Sequence, residues 1–456
     1  MNLRKNIVIC GAGIAGISAA YALAVQHGIK EILLVDQNPP LSLTSDQSSE
    51  CYRNWWPGPD GAMVGLMNRS IDIMDQISAQ SGNYIHMNRR GYLYLTADSD
   101  KIPEIISGSQ TITKLGAGPL RIHREYDSEY FSKSKDPDIS HDQTTGADLI
   151  LNGKLIEKNF PFLSGEIAAA LHVRQAGWLS AQQLGMYLLQ WARLHGVQFL
   201  QARVEGIKLR NQRVNDVLLN DGTHITPNIF INAAGPFLKD IGNMMGIEIP
   251  VFCELHQKVS IKDHKKIIPR EVPLLIWTDK QHLPWSEEER HELKTDPDLG
   301  WLLDELPSGI HTRPEGGSLS EIILMLWEYK SKIMEPEFPI PQDEFYPDML
   351  IRGLQRMIPA MAGYSGQIPK PVIDGGYYTK TLENRPLIGP TDIEGSFILG
   401  ALSGFGIMAA CAAGELLASE ILGKPLPNYA PMFWMNRYDN PAYMKKIEGW
   451  DYSGQL

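Results

Sequence analysis

Gly11, Gly13 and Gly16 stand at the spacing GxGxxG, and Asp36 follows twenty residues after the last of them. Glycines so placed can hold a dinucleotide if a strand leads into them and a helix leaves them, because the task is to bring bare backbone against a pyrophosphate. Gly11 permits the tight turn, Gly13 admits the phosphates and Gly16 lets the helix pack close on the strand. The helix start, at Ile14 and Ala15, presents free N–H groups and positive partial charge to the anion. Asp36, with Gln37 beside it, would accept hydrogen bonds from ribose hydroxyls.

The elements needed to position these residues are legible around them. Residues 5–10 read as a buried strand, 17–25 as an apolar helix of small residues, and 32–35 as a second buried strand ending at Asp36. A secretory signal is the competing reading, since Arg4 and Lys5 precede an apolar stretch. Three glycines interrupt that stretch, no small-residue cleavage site follows, and the next segment is another strand, so the dinucleotide site is the expectation.

A second turn of the same kind stands near the other end. Residues 396–399 form a strand, Ser403-Gly404-Phe405-Gly406 a turn, and 407–421 a helix that begins with Ile407 and Met408. Two such turns exceed what a nicotinamide needs, and a flavin explains both. The first turn would hold the ADP half, while the second would aim a helix N-terminus at the N1/O2 edge of the ring, where negative charge develops on reduction. Phe405, between two glycines, can lie against the ring. The charge-free run 396–414 also approaches the length of a bilayer span, but its four glycines favour a strand, turn and helix buried in protein.

Bulk composition narrows the classes. The 456 residues, 43% hydrophobic and 21% charged, suit a globular protein of two or three domains. A net charge of −11 without a Lys/Arg block argues against nucleic acid or an anionic membrane as partner. Four scattered cysteines (Cys10, Cys51, Cys253, Cys411) with no CxxC suit a reducing cytoplasm. No histidine pairing of a zinc site appears, so no metal is expected, and no nucleophile-elbow serine argues for a hydrolase.

Between the two turns, 39–56 is a Ser/Thr-rich loop closing in Tyr52-Arg53-Asn54-Trp55-Trp56, 67–81 a helix, 91–96 a strand, 132–146 an exposed loop, and 177–196 an amphipathic helix capped by Ser180. A meander follows over 204–209, 214–219 and 228–233, ending in Ala233-Ala234-Gly235, small residues that let backbone lie against a cofactor. Residues 252–261 and 322–329 read as strands of a second sheet. The Pro- and acid-rich stretch 284–314 is long enough for a lid or interaction surface.

The glycine turn with Asp36, the Ser/Thr loop, Ala233-Ala234-Gly235, the segment YYTKTLENRPLIGP from Tyr377 and the closing ALSGFGIMAA from Ala401 together resemble the FAD-dependent D-amino acid oxidase family, which includes glycine oxidase and monomeric sarcosine oxidase. The fold this implies is α/β: a Rossmann-like FAD-binding domain from 1–85, 165–248 and 375–440, and a second, mainly antiparallel β-sheet substrate domain from 86–164 and 249–374. Thr44, Ser45, Val204, Ala234, Gly235 and Gly376 join the glycine turns as implied FAD contacts. The implied chemistry is hydride transfer from an amine-bearing carbon to flavin N5, giving an imine that water hydrolyses, with oxygen as acceptor. A dehydrogenase passing electrons to a protein or quinone, and a non-catalytic flavin subunit, are the alternatives.

On the same resemblance, Tyr378 falls on an active-site tyrosine and Arg53 near an arginine that grips the substrate carboxylate. A half-buried strand tyrosine and an ordinary surface arginine are the plainer readings. Gly376 falls where sarcosine oxidase has the cysteine that bonds its flavin, so FAD is expected to be non-covalent, with Cys51 or a histidine as the substitute if it is not. Met408 falls on a carboxylate-binding lysine. His256 and Lys258 sit on a strand that can face the flavin, and Lys380 and Arg385 are either ligand contacts or a charge pair with Glu383. With one carboxylate anchor gone and the aromatics of 52–56, Trp327 and Tyr329 available, the expected substrate is a bulkier secondary amine or amino acid.

Overall fold

The structure is a computed structural model, and it describes residues 2–132, 144–317 and 319–448. Most of the loop expected over 132–146 therefore lies outside the described residues. Two large sheets organise the chain, each assembled from distant segments.

The first sheet contains β1 (Asn2–Cys10), β2 (Ile32–Asp36), β9 (Gln198–Gln201), β10 (Val204–Arg210), β11 (Arg213–Leu219), β12 (His224–Asn232), β18 (Leu387–Pro390) and β19 (Ser396–Gly400). Its spatial order is β10-β11-β12-β1-β2-β9, with β19 joining the end of β12 and β18 pairing with β19. The centre is parallel, β1 lying between β2 and β12 and β12 running alongside β19. Such strands must be covered on both faces, and β1 alternates accordingly: Ile7 and Ile9 pack with the helices Ile14–Tyr21, Ala181–Leu194 and Gly406–Ile421, while Val8 and Cys10 pack toward Leu238–Met244.

Small residues let this layer close. A Cβ on Gly16 would stand 1.9 Å from the carbonyl oxygen of Gly11, and one on Gly414 would stand 2.5 Å from the Ser18 backbone. Strand, first helix and last helix therefore touch backbone to backbone. The helical run Ser403–Ile421 is long and apolar enough to cross a membrane, yet most of it is buried inside the protein.

The second sheet contains β4 (Tyr92–Thr96), β5 (Leu120–His123), β6 (Ala147–Ile150), β7 (Ala169–Val173), β13 (Phe252–Lys262), β14 (Leu274–Trp277), β15 (His311–Glu315), β16 (Ile322–Leu326) and β17 (Val372–Lys380). Its order is β17-β13-β16-β15-β14-β4-β7-β6-β5. Only β14 with β4 and β5 with β6 are parallel. A short pair, β3 (Cys51–Arg53) with β8 (Ala176–Trp178), carries Arg53.

Two details depart from the sequence reading. β7 and β17 pair in the second sheet, although 165–248 and 375–440 group with the nucleotide unit in sequence; short apolar strands do not announce which sheet will receive them. The stretch 284–314 contains the helix Glu287–Thr295, capped by Ser286 and Glu289, and runs into β15 between β14 and β16. Pro314 is tolerated there beside Arg313, and the proline-rich composition hid the strand.

Candidate functional site

The parallel strands β1, β2, β12 and β19 end together, and a cleft of about 920 Å³, counted with the space open to solvent, lies at their carboxyl ends. This is where the topology of an open parallel sheet leaves a crevice. Gly11 turns out of β1 at φ +113°, and a Cβ there would stand 2.2 Å from the Ala233 carbonyl oxygen, so only glycine fits. Ala234 and Gly235 continue the opposite wall.

Asp36 closes one end. Its Oδ2 accepts the Ala12 N–H at 2.7 Å and its Oδ1 accepts the Asn38 N–H at 2.8 Å, which leaves each oxygen able to accept another hydrogen bond. Burial raises the Asp36 pKa against these backbone hydrogen bonds. At the start of the first helix the Ile14 N–H donates to Ser45 Oγ at 3.0 Å, on the loop that covers the cleft, and Thr44 Oγ1 donates to the Tyr377 carbonyl at 3.1 Å. At the far end the helix Gly406–Ile421 begins on the cleft wall at Gly406 and Ile407. A Cβ on Gly404 would meet the Tyr378 ring at 2.5 Å.

A second chamber, of about 610 Å³ counted the same way, shares Tyr378 and Gly404 with the cleft. Its walls come from seven strands or strand ends: Cys51 and Arg53, Tyr92, His256, Leu274, His311, Leu326 with Glu328, and Tyr378, closed by Trp56, Phe405 and Met408. Arg53 is not the surface residue its loop suggested: it is 2% exposed, its Nε donates to the Trp55 carbonyl at 3.1 Å, and its guanidinium lies 4.5 Å from the Trp56 ring. Trp56 meets Phe405 edge to face at 5.4 Å.

The chamber's charges are ordered around His256. Its ring stacks on Tyr378 at 3.8 Å, with Nε2 3.2 Å from Glu254 and Nδ1 2.5 Å from Glu328. Burial alone would lower the His256 pKa, but the two carboxylates outweigh it and raise the value. The hydrogen bond from His256, with Lys380 at 2.9 Å, holds Glu254 down at about 2. Burial would raise the Glu328 pKa, but the charge and hydrogen bond of His256, together with the charges of Lys380 and His311, lower it overall. Glu328 is enclosed by protein yet 40% exposed, because a crevice beside Tyr329 and Lys330 opens onto it. Burial, then the Glu328 charge, pushes the Tyr378 phenol far above its ordinary value. His311 differs from His256: burial lowers its pKa, and its Nδ1 hydrogen-bonds the Gly309 carbonyl at 2.8 Å.

The structure thus brings Arg53, His256, Tyr378, Phe405 and Met408 to one chamber and Gly11, Gly13, Ile14, Ala15, Asp36, Thr44, Ser45, Ala234, Gly235, Gly404, Gly406 and Ile407 to the adjoining cleft. Gly16 packs beneath the cleft rather than lining it. The Gln37 carbonyl takes a hydrogen bond from Gln201 at 3.3 Å, and Val204 is buried in the core behind the sheet. Gly376 faces the covering loop, where a Cβ would stand 3.3 Å from Thr44 and Gln47. Lys258 reaches the Ser48 carbonyl and Asp374, Lys380 pairs with Glu254, and Arg385 with Asp60, while Glu383 pairs with Arg437. Trp327 and Tyr329 flank the outer crevice, not the chamber. Glu254, Glu328 and His311 escaped the sequence reading; a carboxylate ending the apolar run 322–327 was the available signal for Glu328.

Comparison with known proteins identifies the family and the fold. The family profile described as "DAO: FAD dependent oxidoreductase" matches residues 6–420. Human mitochondrial dimethylglycine dehydrogenase is 23% identical over 438 residues, which cover 92% of this chain but 43% of that protein. The chain therefore spans less than half the length of the curated relatives it matches. L-proline dehydrogenase from P. horikoshii superposes with a TM-score of 0.73 at 20% identity over 96% of this chain and 99% of the other. Glycine oxidase from Geobacillus kaustophilus superposes with a TM-score of 0.71 at 14% identity over 95% and 98%.

Proposed function

The chain belongs to the DAO family of FAD dependent oxidoreductases, and from that premise we propose that it oxidises the amine-bearing carbon of an amino acid whose carboxylate is held by Arg53. The observation that carries this reading is the junction of cleft and chamber at Tyr378 and Gly404, with the buried Arg53 on the chamber wall. The residues of the cleft fit FAD. Asp36 has acceptor capacity for ribose, the turn from Gly11 and the Ser45 hydroxyl face the pyrophosphate position, and the missing side chain of Gly404 lets the Tyr378 ring stand close against the second turn. When bound there, the flavin supplies an acceptor for hydride.

The chain's own residues do the rest. Arg53 offers a fork of donors to a planar carboxylate and is held rigid by its stack on Trp56. Tyr378 keeps its proton, so its hydroxyl is available as a donor at the junction. Burial of Trp56, Phe405 and Met408 keeps bulk water from the reacting carbon. Met408 adds no second cation, and the apolar walls Trp56, Tyr92, Leu274, Leu326 and Phe405 favour a bulky or N-alkylated amino acid over glycine.

FAD is held without a covalent bond in this reading, since Gly376 offers no side chain and Cys51 is a buried thiol with a raised pKa that donates to the Ser49 carbonyl. Acid precipitation should then leave the yellow colour in solution. Oxygen is the proposed acceptor and the cytoplasm the proposed location, in keeping with four buried, unpaired cysteines. The similarity to a dimethylglycine dehydrogenase favours the second reading, electron transfer to a protein or quinone. Peroxide formed in air separates the two. Anaerobic addition of sarcosine, L-proline, glycine and N-methyl-L-phenylalanine should bleach the flavin's blue absorbance band, fastest with the bulky secondary amines; bleaching by none of them would refute amine oxidation.

A further inference from the structure

Resting on the amine-oxidation reading, we propose that His311 is the catalytic residue that accepts the proton from the substrate's ammonium group, through Nε2. An amino acid arrives largely as an ammonium ion, and a carbon beside a protonated nitrogen cannot give up hydride, because the electron pair that must form the C=N bond is tied up in an N–H bond. Something in the chamber has to take that proton.

The charged and titratable groups facing His311 leave few alternatives. Arg53, from β3, is a permanent cation. His256, from β13, sits between the carboxylates of Glu254 and Glu328 and is already held as imidazolium. Glu328, past the end of β16, is neutralised by that pair. Tyr378, from β17, and Tyr92, from β4, are buried phenols that keep their protons, and burial keeps the Cys51 thiol protonated as well.

Among the described side chains that line the chamber, His311 is the one that offers a basic nitrogen lone pair near neutral pH. Its Nδ1 lies 2.8 Å from the Gly309 carbonyl oxygen, an atom that can only accept, so Nδ1 carries a hydrogen and Nε2 is the bare nitrogen whenever the ring is neutral. The ring lines the chamber from the middle of the sheet, between β14 and β16, and no partner for Nε2 stands among the described residues. Burial lowers the His311 pKa against the Gly309 hydrogen bond and the Glu328 charge, and the positive charges of Arg53 and Arg313 add to the lowering, so the imidazole is neutral near pH 7. In the step, one substrate N–H bond breaks and one Nε2–H bond forms. The electron pair left on nitrogen becomes the second bond of C=N as hydride leaves the carbon for the acceptor that the family's cofactor supplies. The two histidines of the chamber thus have opposite tasks, one a fixed cation and one a proton acceptor.

Two measurements on the FAD-loaded protein test this. With ¹⁵N-labelled histidine, the signals that vanish in His311→Gln should be those of a neutral ring with hydrogen on Nδ1 at pH 7; an imidazolium or an Nε2–H ring would overturn the proposal alone. In anaerobic stopped flow with sarcosine, L-proline and N-methyl-L-phenylalanine, His311→Gln should lower the limiting rate of flavin bleaching about 100-fold at pH 7. The rate should then climb with pH as the amine loses its proton in solution, while flavin content stays at the wild-type level. An unchanged rate and pH profile would overturn the proposal. Failure of all three amines to bleach the wild-type flavin would overturn the amine-oxidation reading and this step with it.

Discussion

The nucleotide cleft and the chamber beside it meet at Tyr378 and Gly404 but are made of different material. The cleft is backbone: glycines whose missing side chains let Ala233, Ser45 and Tyr378 close in, strand ends that converge, and helices that start at Ile14 and Gly406. The chamber is side chain: Arg53, His256, His311, Glu328 and Tyr378 converge from separate strands and set one another's charge. Short of substitution by proline, mutation blocks a backbone donor rather than deleting it. Charges can be deleted while the backbone stays in place.

That contrast orders the expected effects. The largest should come from blocking the cleft. Gly11→Val places a β-branched residue at φ +113° with its Cβ 2.2 Å from the Ala233 carbonyl oxygen, a strain of at least about 2 kcal/mol at the cofactor turn. The purified variant should carry little or no FAD by absorbance; a full complement of flavin would break the assignment of the cleft. A smaller effect is expected at the junction. Tyr378→Phe removes one hydroxyl and should slow anaerobic flavin bleaching about tenfold, the worth of one hydrogen bond of about 1.4 kcal/mol, while FAD affinity stays the same. A loss of FAD affinity instead would move Tyr378 from the chamber's function to the cleft's.

The smallest effect concerns the charges behind His256. Glu254 falls from an ordinary value of 4.5 to about 2, so its contribution to stability is full above about pH 4.5 and is lost as the pH drops toward 2. His256 is raised above its ordinary 6.5, so its contribution is full below about pH 6.5 and is lost as the pH rises through the folded value. The pair is therefore strongest between those two limits. Glu254→Gln should lower the unfolding free energy from urea titration there by on the order of 1 kcal/mol and by less at either side; a pH-independent difference would show that the residue matters only for packing.

The same contrast explains what could be read from the sequence. Gly11, Gly13, Gly16 and Asp36 all fall within residues 11–36 at spacings set by the strand–turn–helix–strand geometry, so the cleft was legible in one short stretch. The closing turn at Gly404 was legible for the same reason. Val204 was not: it occupies the expected strand, but its side chain is core and the cleft lies elsewhere. The chamber was legible in part: a family pattern pointed at Tyr378, Arg53 and Met408, the closing turn at Phe405, and a strand that could face the flavin at His256. His311 and Glu328 sit on short strands far along the chain, and nothing local distinguishes a histidine that faces a cavity from one that faces the core. Trp327 misled for the converse reason, since alternation along β16 sets which face a residue takes, and Trp327 takes the core.

The central claim is that the cleft binds the cofactor and the chamber independently selects the substrate. Arg53→Met keeps the bulk against Trp56 and removes the charge, so a single titration tests it: flavin content together with the amine concentration that half-saturates anaerobic bleaching. The account predicts a wild-type flavin content and a half-saturating concentration for carboxylated amines raised about 10- to 150-fold, the worth of a charged hydrogen bond of about 1.5–3 kcal/mol. An unchanged half-saturation, or loss of FAD along with it, would contradict the division of labour between cleft and chamber.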